Sequence, residues 1–221
     1  LMLALANRLN PEVREARRII EQGKIGEIYG AELHLVADQT RLTRPDYHDR
    51  WFAQKARAGG GHLIWLGIHW LDLAMVLTGS RITGVAGFAG NVGGQPLDVE
   101  DSAAVALRFE NGTFGTMTSG FYLDKGYHSH IKIWGSEGWL QIEKHGGLPL
   151  RWYSQQDEQQ KIQQVESFDG PSGYTPFVKA CVRASAGLDP APLTADESLH
   201  VLKTVFASYR SAETGRTQTI G

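Results

Sequence analysis

A chain of 221 residues is long enough for one large α+β domain or two small ones. The formal net charge of −2 gives no electrostatic case for nucleic acid or an anionic membrane surface, and 42% hydrophobic residues with six Trp supply ample core. Cys181 is the only cysteine, which excludes an intrachain disulfide and points to a reducing, cytoplasmic setting.

In chain order, the opening Leu1-Met2-Leu3-Ala4-Leu5-Ala6 reads as a short buried strand. It lacks the charged start of a secretion signal, and no apolar run approaches the roughly 20 residues of a spanning helix. Asn10-Pro11 is a helix start, Asn as N-cap and Pro at the first helical position, and Gly23 ends that helix. Val13, Ala16, Ile19 and Ile20 give it a buried stripe. Tyr29, Ala31, Leu33, Leu35 and Ala37 then alternate with Glu32, His34 and Asp38, which predicts a strand with one core face. Residues 39–58 form a long polar connection that delivers Tyr47, His48, Arg50 and Trp51 just ahead of a glycine run. A functional loop and an ordinary solvated one are both open readings.

The glycine run, Gly59-Gly60-Gly61, feeds an apolar helix. At about 100° per residue, His62, Trp65, His69 and Asp72 share one face of it, opposite Leu63, Leu66, Trp70, Leu73 and Leu77. That face is either the wall of a pocket or a core histidine with a surface carboxylate nearby. Farther on, 102–109 and 113–122 flank Glu110-Asn111-Gly112, an Asn-Gly hairpin signal. Two more hairpins follow, 130–134 with 139–143 around Gly135-Ser136-Glu137-Gly138, and 150–153 with 161–165. The outer face of this sheet would carry Thr116, Thr118, Lys132 and Trp134. His128 and His130, beside Tyr127 and Lys125, alternate as half a metal site does, but no third ligand follows by spacing and no metal is expected. A helix from Thr175-Pro176 should bury Phe177, Ala180, Cys181 and Ala184. Thr194 with Glu197 is a capping box for the last helix, with Leu199, Leu202, Val205, Phe206 and Tyr209 as its stripe. The fold class is therefore α+β: a large, predominantly antiparallel open sheet with helices on one face, in a single domain spanning 1–221.

Glycines 59–61 with His69 and Asp72 resemble the glycine-rich helix start of the Gfo/Idh/MocA oxidoreductases, the glucose-fructose oxidoreductase and inositol dehydrogenase relatives. Their pattern is three glycines, three residues, Asp, three residues, His, then a later Asp; the first Asp falls on Trp65 here. Asn7-Arg8-Leu9-Asn10-Pro11, Gly23-Lys24-Ile25-Gly26-Glu27-Ile28, Phe114-Gly115, Trp134-Gly135-Ser136-Glu137-Gly138 and 209–216 extend the resemblance over the whole chain. It implies a dihydrodipicolinate reductase-like C-terminal domain. Relatives begin with a Rossmann domain for NAD or NADP and carry the catalytic lysine in a hinge Glu-Lys-Pro. This sequence has neither that motif nor a Gly-x-Gly-x-x-Gly fingerprint. It reads as the substrate-binding and dimerisation domain of an NAD(P)-dependent oxidoreductase acting on a sugar, cyclitol or related polyol, with no cofactor bound by this portion alone.

The resemblance implies His69 as catalytic proton acceptor and a face-to-face homodimer or homotetramer through the sheet. Trp65, Asp72, His62, Tyr174 and His48 are the candidate substrate contacts, and Arg8 the candidate cofactor contact. Trp65 cannot exchange protons but can stack on a sugar ring. Asp72, His62 and His48 are the groups that can stand in for the lost carboxylate. A glycoside-cleaving or epimerising NAD enzyme on the same scaffold, or a non-catalytic binding module, are the alternatives.

Overall fold

A computed structural model describes residues 1–122, 126–145 and 147–221, with Arg41 through its backbone only; Lys125 lies outside the described residues. The strands are β1 (Ile28–Asp38), β2 (Ile82–Gly90), β3 (Ser102–Phe109), β4 (Phe114–Tyr122), β5 (Tyr127–Gly135), β6 (Gly138–His145), β7 (Leu150–Ser154), β8 (Gln163–Val165) and β9 (Gln218–Thr219). They form one sheet in the order β8-β7-β6-β5-β1-β4-β3-β2-β9. Every neighbouring pair is antiparallel except β1 with β4, so β1 enters the centre between strands far along the chain. The β3–β4 hairpin closes as its sequence predicts. Gly112 takes φ +88° and the Asn111 side chain accepts from the Thr113 amide at 3.1 Å.

Alternation sets the two faces. Leu33 and Leu35 of β1, Met117 of β4, Ile131 and Ile133 of β5, Leu140 and Ile142 of β6, and Val105 and Leu107 of β3 are all buried on one side. Helices α1 (Pro11–Glu21), α4 (Ile68–Thr78) and α6 (Ala195–Thr214) cover that side. The opposite face, with Thr116, Thr118, Lys132 and Trp134, has no helix against it. This is the expected α+β architecture.

Several elements depart from the sequence reading. Leu1–Leu5 is not a strand, and Leu1 is fully exposed; a 3-10 turn, Ala6–Leu9, follows instead. The long connection folds into short helical turns, among them α2 (Pro45–His48) and α3 (Lys55–Ala58). Strands β2 and β9 were not foreseen, because Gly84, Ala86 and Gly87 give β2 little strand propensity. Those small residues let α6 lie close, and the Gly87 amide donates to the Ser211 hydroxyl at 3.1 Å. The buried stripe of α6 is accordingly Ser198, Val201, Thr204, Val205, Ser208 and Ser211, while Leu199 and Phe206 are exposed. Its capping box forms as expected. Helix α5 (Tyr174–Ser185) buries only Phe177. Asn10 sits at the N-cap of α1 without its side chain capping it; its Oδ1 accepts instead from the Gly173 amide at 2.8 Å, tying α1 to the entry of α5. The stretch Lys55–Thr78 does meet the length and hydropathy of a membrane-crossing helix, contrary to expectation, and most of its apolar window is packed inside the fold.

Candidate active site

The glycine run is a close-packed joint. Gly59 ends α3 in the left-handed region at φ +81°. A Cβ on Gly60 would lie 2.2 Å from the Tyr209 hydroxyl, and one on Gly61 would lie 1.8 Å from the Glu100 carbonyl oxygen, so only glycine fits at either. The buried Glu100 carboxylate accepts from the Gly61 amide at 2.5 Å, the Leu63 amide at 2.8 Å and the Tyr209 hydroxyl at 2.8 Å. The Tyr209 oxygen accepts from the Ile64 amide at 3.1 Å. A carboxylate and a phenol thus satisfy the orphan donors at this helix start. Burial pushes the Glu100 carboxyl up, against the pull of those donors. Sequence reasoning missed Glu100; it follows a glycine- and proline-containing loop and carries no periodic signal.

The helix then opens into a π-turn, Leu63–Gly67, closed by the Ile68 amide on the Leu63 carbonyl. The wider turn breaks the 100° phase, so the four residues expected on one face separate. His62 points into the sheet. It is fully buried, hydrogen-bonded to the Ser119 hydroxyl at 2.6 Å and edge-on to Phe121 at 4.4 Å, which removes it from the candidate substrate contacts. Trp65 is 41% exposed and packs with Trp51 and Phe52, rings 5.4 and 5.5 Å away, in a cluster that also holds Tyr47.

Asp72 faces the other side of α4, where Arg8 grips it through Nε and Nη2. Burial pushes its carboxyl up and Arg8 draws it back down. The Arg8 Nη1 donates to Glu197 at 3.0 Å and to the Pro192 carbonyl at 3.1 Å. Asp72 is therefore an ion-pair partner rather than a substrate contact. With Arg8's donors spent in this way, it does not fit the expected cofactor role. A cleft of about 330 Å³ opens over this network, between α1, α4 and α6.

His69 lines a different, smaller cleft of about 240 Å³, together with Asn7, Leu66, Tyr127, Lys144, His145 and Tyr174 among others. Its Nδ1 is buried with no hydrogen-bond partner. Burial, reinforced by Lys144, lowers its pKa to about 4, so the imidazole is neutral near pH 7 and can take a proton. Tyr174 reaches the cleft from the first turn of α5, as anticipated. His48 does not; its Nε2 lies 2.6 Å from the Leu42 carbonyl.

Lys144 and His145 were not foreseen. Adjacent strand residues normally face opposite sides, yet both line the cleft. The register explains this: Ser129 faces His145 and His130 faces Glu143, leaving Lys144 as the extra residue of a β-bulge. The Lys144 ammonium donates to Asn7 Oδ1 at 2.6 Å, and His145 pairs with the Ser129 hydroxyl at 2.9 Å while stacking on Tyr127. On the far side of the sheet, His130 stacks on His34 and pairs with Glu32, and no trio of metal-ligating side chains occurs among the described residues.

The larger cleft holds the ion pairs of Arg8 with Asp72 and Glu197, with Arg17 and Arg81 also on its lining, whereas no ion pair lines the smaller one among the described residues. An orphaned buried nitrogen on a neutral imidazole and a bulge that re-aims two side chains make the His69 cleft the candidate site.

Comparison with known proteins bears on the same elements. Residues 13–141 match the GFO/IDH/MocA C-terminal domain. A levoglucosan dehydrogenase from Pseudarthrobacter phenanthrenivorans is 28% identical over 214 residues, 86% of this chain and 52% of that protein. A D-xylose 1-dehydrogenase [NADP(+)] from Haloarcula marismortui is 29% identical over 146 residues, 65% of this chain and 39% of that protein. The crystal structure of an oxidoreductase domain protein from Kribbella flavida superposes with a TM-score of 0.87 at 24% identity, over 100% of this chain and 65% of that one. The chain thus spans about half or less of the curated relatives it matches.

Proposed function

The chain belongs to the GFO/IDH/MocA C-terminal domain family, and from that premise we propose that it acts as the single substrate-side domain of an NAD(P)-dependent oxidoreductase working on a sugar, cyclitol or related polyol. The observation that carries this reading is His69, a neutral imidazole with an unpartnered Nδ1 in a cleft of its own. Relatives named for levoglucosan and D-xylose support the sugar class.

Oxidation of a sugar hydroxyl removes its proton and a hydride from the carbon. His69 takes the proton. Nicotinamide, held by a part of the protein outside this chain, supplies the hydride-accepting chemistry when bound. Tyr174 holds the substrate at the rim, and Trp65 with Trp51 offers aromatic surface one turn earlier on the helix side of the loop. The helix-free sheet face, with exposed Thr116 and Phe114 beside Trp134, is the surface through which two copies pair.

The test is NAD(P)H formation by the full-length protein across a panel of aldoses, anhydrosugars, cyclitols and sugar acids. Reduction of cofactor with at least one of them is expected, and none from the 221-residue chain alone. Turnover by the chain alone, or silence of the full-length protein across the panel, overturns the proposal.

A further inference from the structure

We infer that the His69 cleft takes a sugar carrying a carboxylate, and that Lys144 is the group that receives the charge. The inference rests on the reading of this cleft as the substrate site.

Among the described residues, the lining of the cleft contains no Asp or Glu, and Lys144 is its one formally charged side chain at neutral pH. A site for a neutral polyol needs strong acceptors for several hydroxyl donors, and carboxylates are the strongest available. Here the amide oxygen of Asn7 is already occupied by Lys144, and His145 is turned to Ser129. What the cleft offers in excess is donors.

Lys144 itself has no carboxylate within ion-pair distance among the described residues; it meets the Asn7 side-chain oxygen at 2.6 Å and the Trp70 ring at 5.8 Å, and Glu12 acts on it only from longer range. Two other partly buried cations of this fold are paired, Arg8 with Asp72 and Glu197, and Lys24 with Asp157. The bulge is what turns Lys144 into the cleft; in a regular strand it and His145 could not both face there. Desolvation holds Lys144 below the ordinary lysine range, and Lys144 in turn helps to lower His69. A substrate carboxylate beside Lys144 would relieve both, restoring basicity to His69 when the right substrate is bound. One cation with neutral imidazoles suits the single charge of a carboxylate better than a phosphate dianion, which several donors normally share.

The experiment measures binding of D-glucuronate, D-glucose and glucose 6-phosphate by calorimetry to the full-length protein loaded with its oxidised cofactor. Glucuronate is expected to bind at least about tenfold tighter than either of the others, the scale of one charge-assisted contact. Lys144→Gln should erase that preference and Lys144→Arg should keep most of it, with unchanged melting temperatures as the control for folding. Equal binding, preference for the phosphate, binding of none of the three, or a preference that survives Lys144→Gln overturns the inference. Oxidation of neutral polyols without acid preference would sink this inference and leave the dehydrogenase reading standing. Lys144-dependent glucuronate binding without any sugar oxidation would do the reverse.

Discussion

His69 and Asp72 lie three positions apart on one helix and face two clefts of opposite character. Over Asp72, a guanidinium, two carboxylates and a backbone carbonyl close on each other. Around His69, a ring nitrogen is left without a partner, and the nearby lysine is met by an amide oxygen and an indole ring. The Asp72 side has the greater volume, about 330 Å³ against about 240 Å³. Volume alone therefore does not single out a candidate site, and the His69 side is distinguished instead by its unspent hydrogen-bonding capacity. Buried polar groups that satisfy one another stabilise a fold, whereas those left open cost stability and are available to a ligand.

The sharpest way to break that contrast is at His69. In the full-length protein, His69→Ala should lower turnover by roughly 10²–10⁴-fold, the loss of a general base, with little change in melting temperature. Survival of activity within a few-fold would make His69 a packing residue and dissolve the distinction. Asp72→Ala should do the opposite: about 3 kcal/mol of stability lost in urea unfolding, because Arg8 keeps Glu197 but loses its more buried carboxylate partner, and kcat/KM of the folded fraction nearly intact. A stable Asp72→Ala protein with collapsed turnover would show that both sides of the helix serve catalysis.

Titration sharpens the comparison next. Burial holds His69 near pH 4 in the folded chain, against 6.5 when unfolded. The unfolded state therefore binds the extra proton first, and the stabilising contribution is complete above pH 6.5 and is lost as pH falls toward 4. Differences in unfolding free energy between the wild-type chain and His69→Asn should change by up to about 3 kcal/mol across that window. A parallel pair of curves would mean the imidazole is solvated rather than buried. Smallest is Trp65→Ala. Its ring is half in solvent, so the stability cost should be that of a surface aromatic cluster, about 0.5–1.5 kcal/mol, well below a core cavity. If Trp65 stacks on substrate, KM rises several-fold in the same variant; a large drop in melting temperature with unchanged KM would remove that role.

Much of the framework was legible because it is written locally. Asn111-Gly112 makes a hairpin, Asn10-Pro11 starts a helix and the alternation around Leu33 makes a strand, each for a reason contained in a few residues. Of the candidate site residues read from the sequence, His69 and Tyr174 line one cleft together. Whether His62 and His69 share a face depends on a single π-turn that no local propensity announces. Lys144 enters the cleft by a register shift against β5. The partners of Asp72 and of the glycine run, Arg8 and Glu100, lie far off in sequence, and pairing across such distances leaves no periodic trace.

The place of β1 has a kinetic consequence. Its neighbours on both sides, β4 and β5, are consecutive in the chain and would form a hairpin quickly if nothing stood between them. The native order requires that hairpin never to zip, or to reopen, so that a strand from near the beginning can slot in as a wedge. Loop-closure entropy must be met before that insertion is rewarded, which makes it a late and slow event in folding. Once seated, β1 is bonded along both edges, and its amides should be among the last to exchange with solvent, long after those of the edge strands β8 and β9. The strand that follows α1 is thus the one whose withdrawal would undo the whole sheet, which anchors the floor of the His69 cleft, through Leu35, to the most protected part of the molecule.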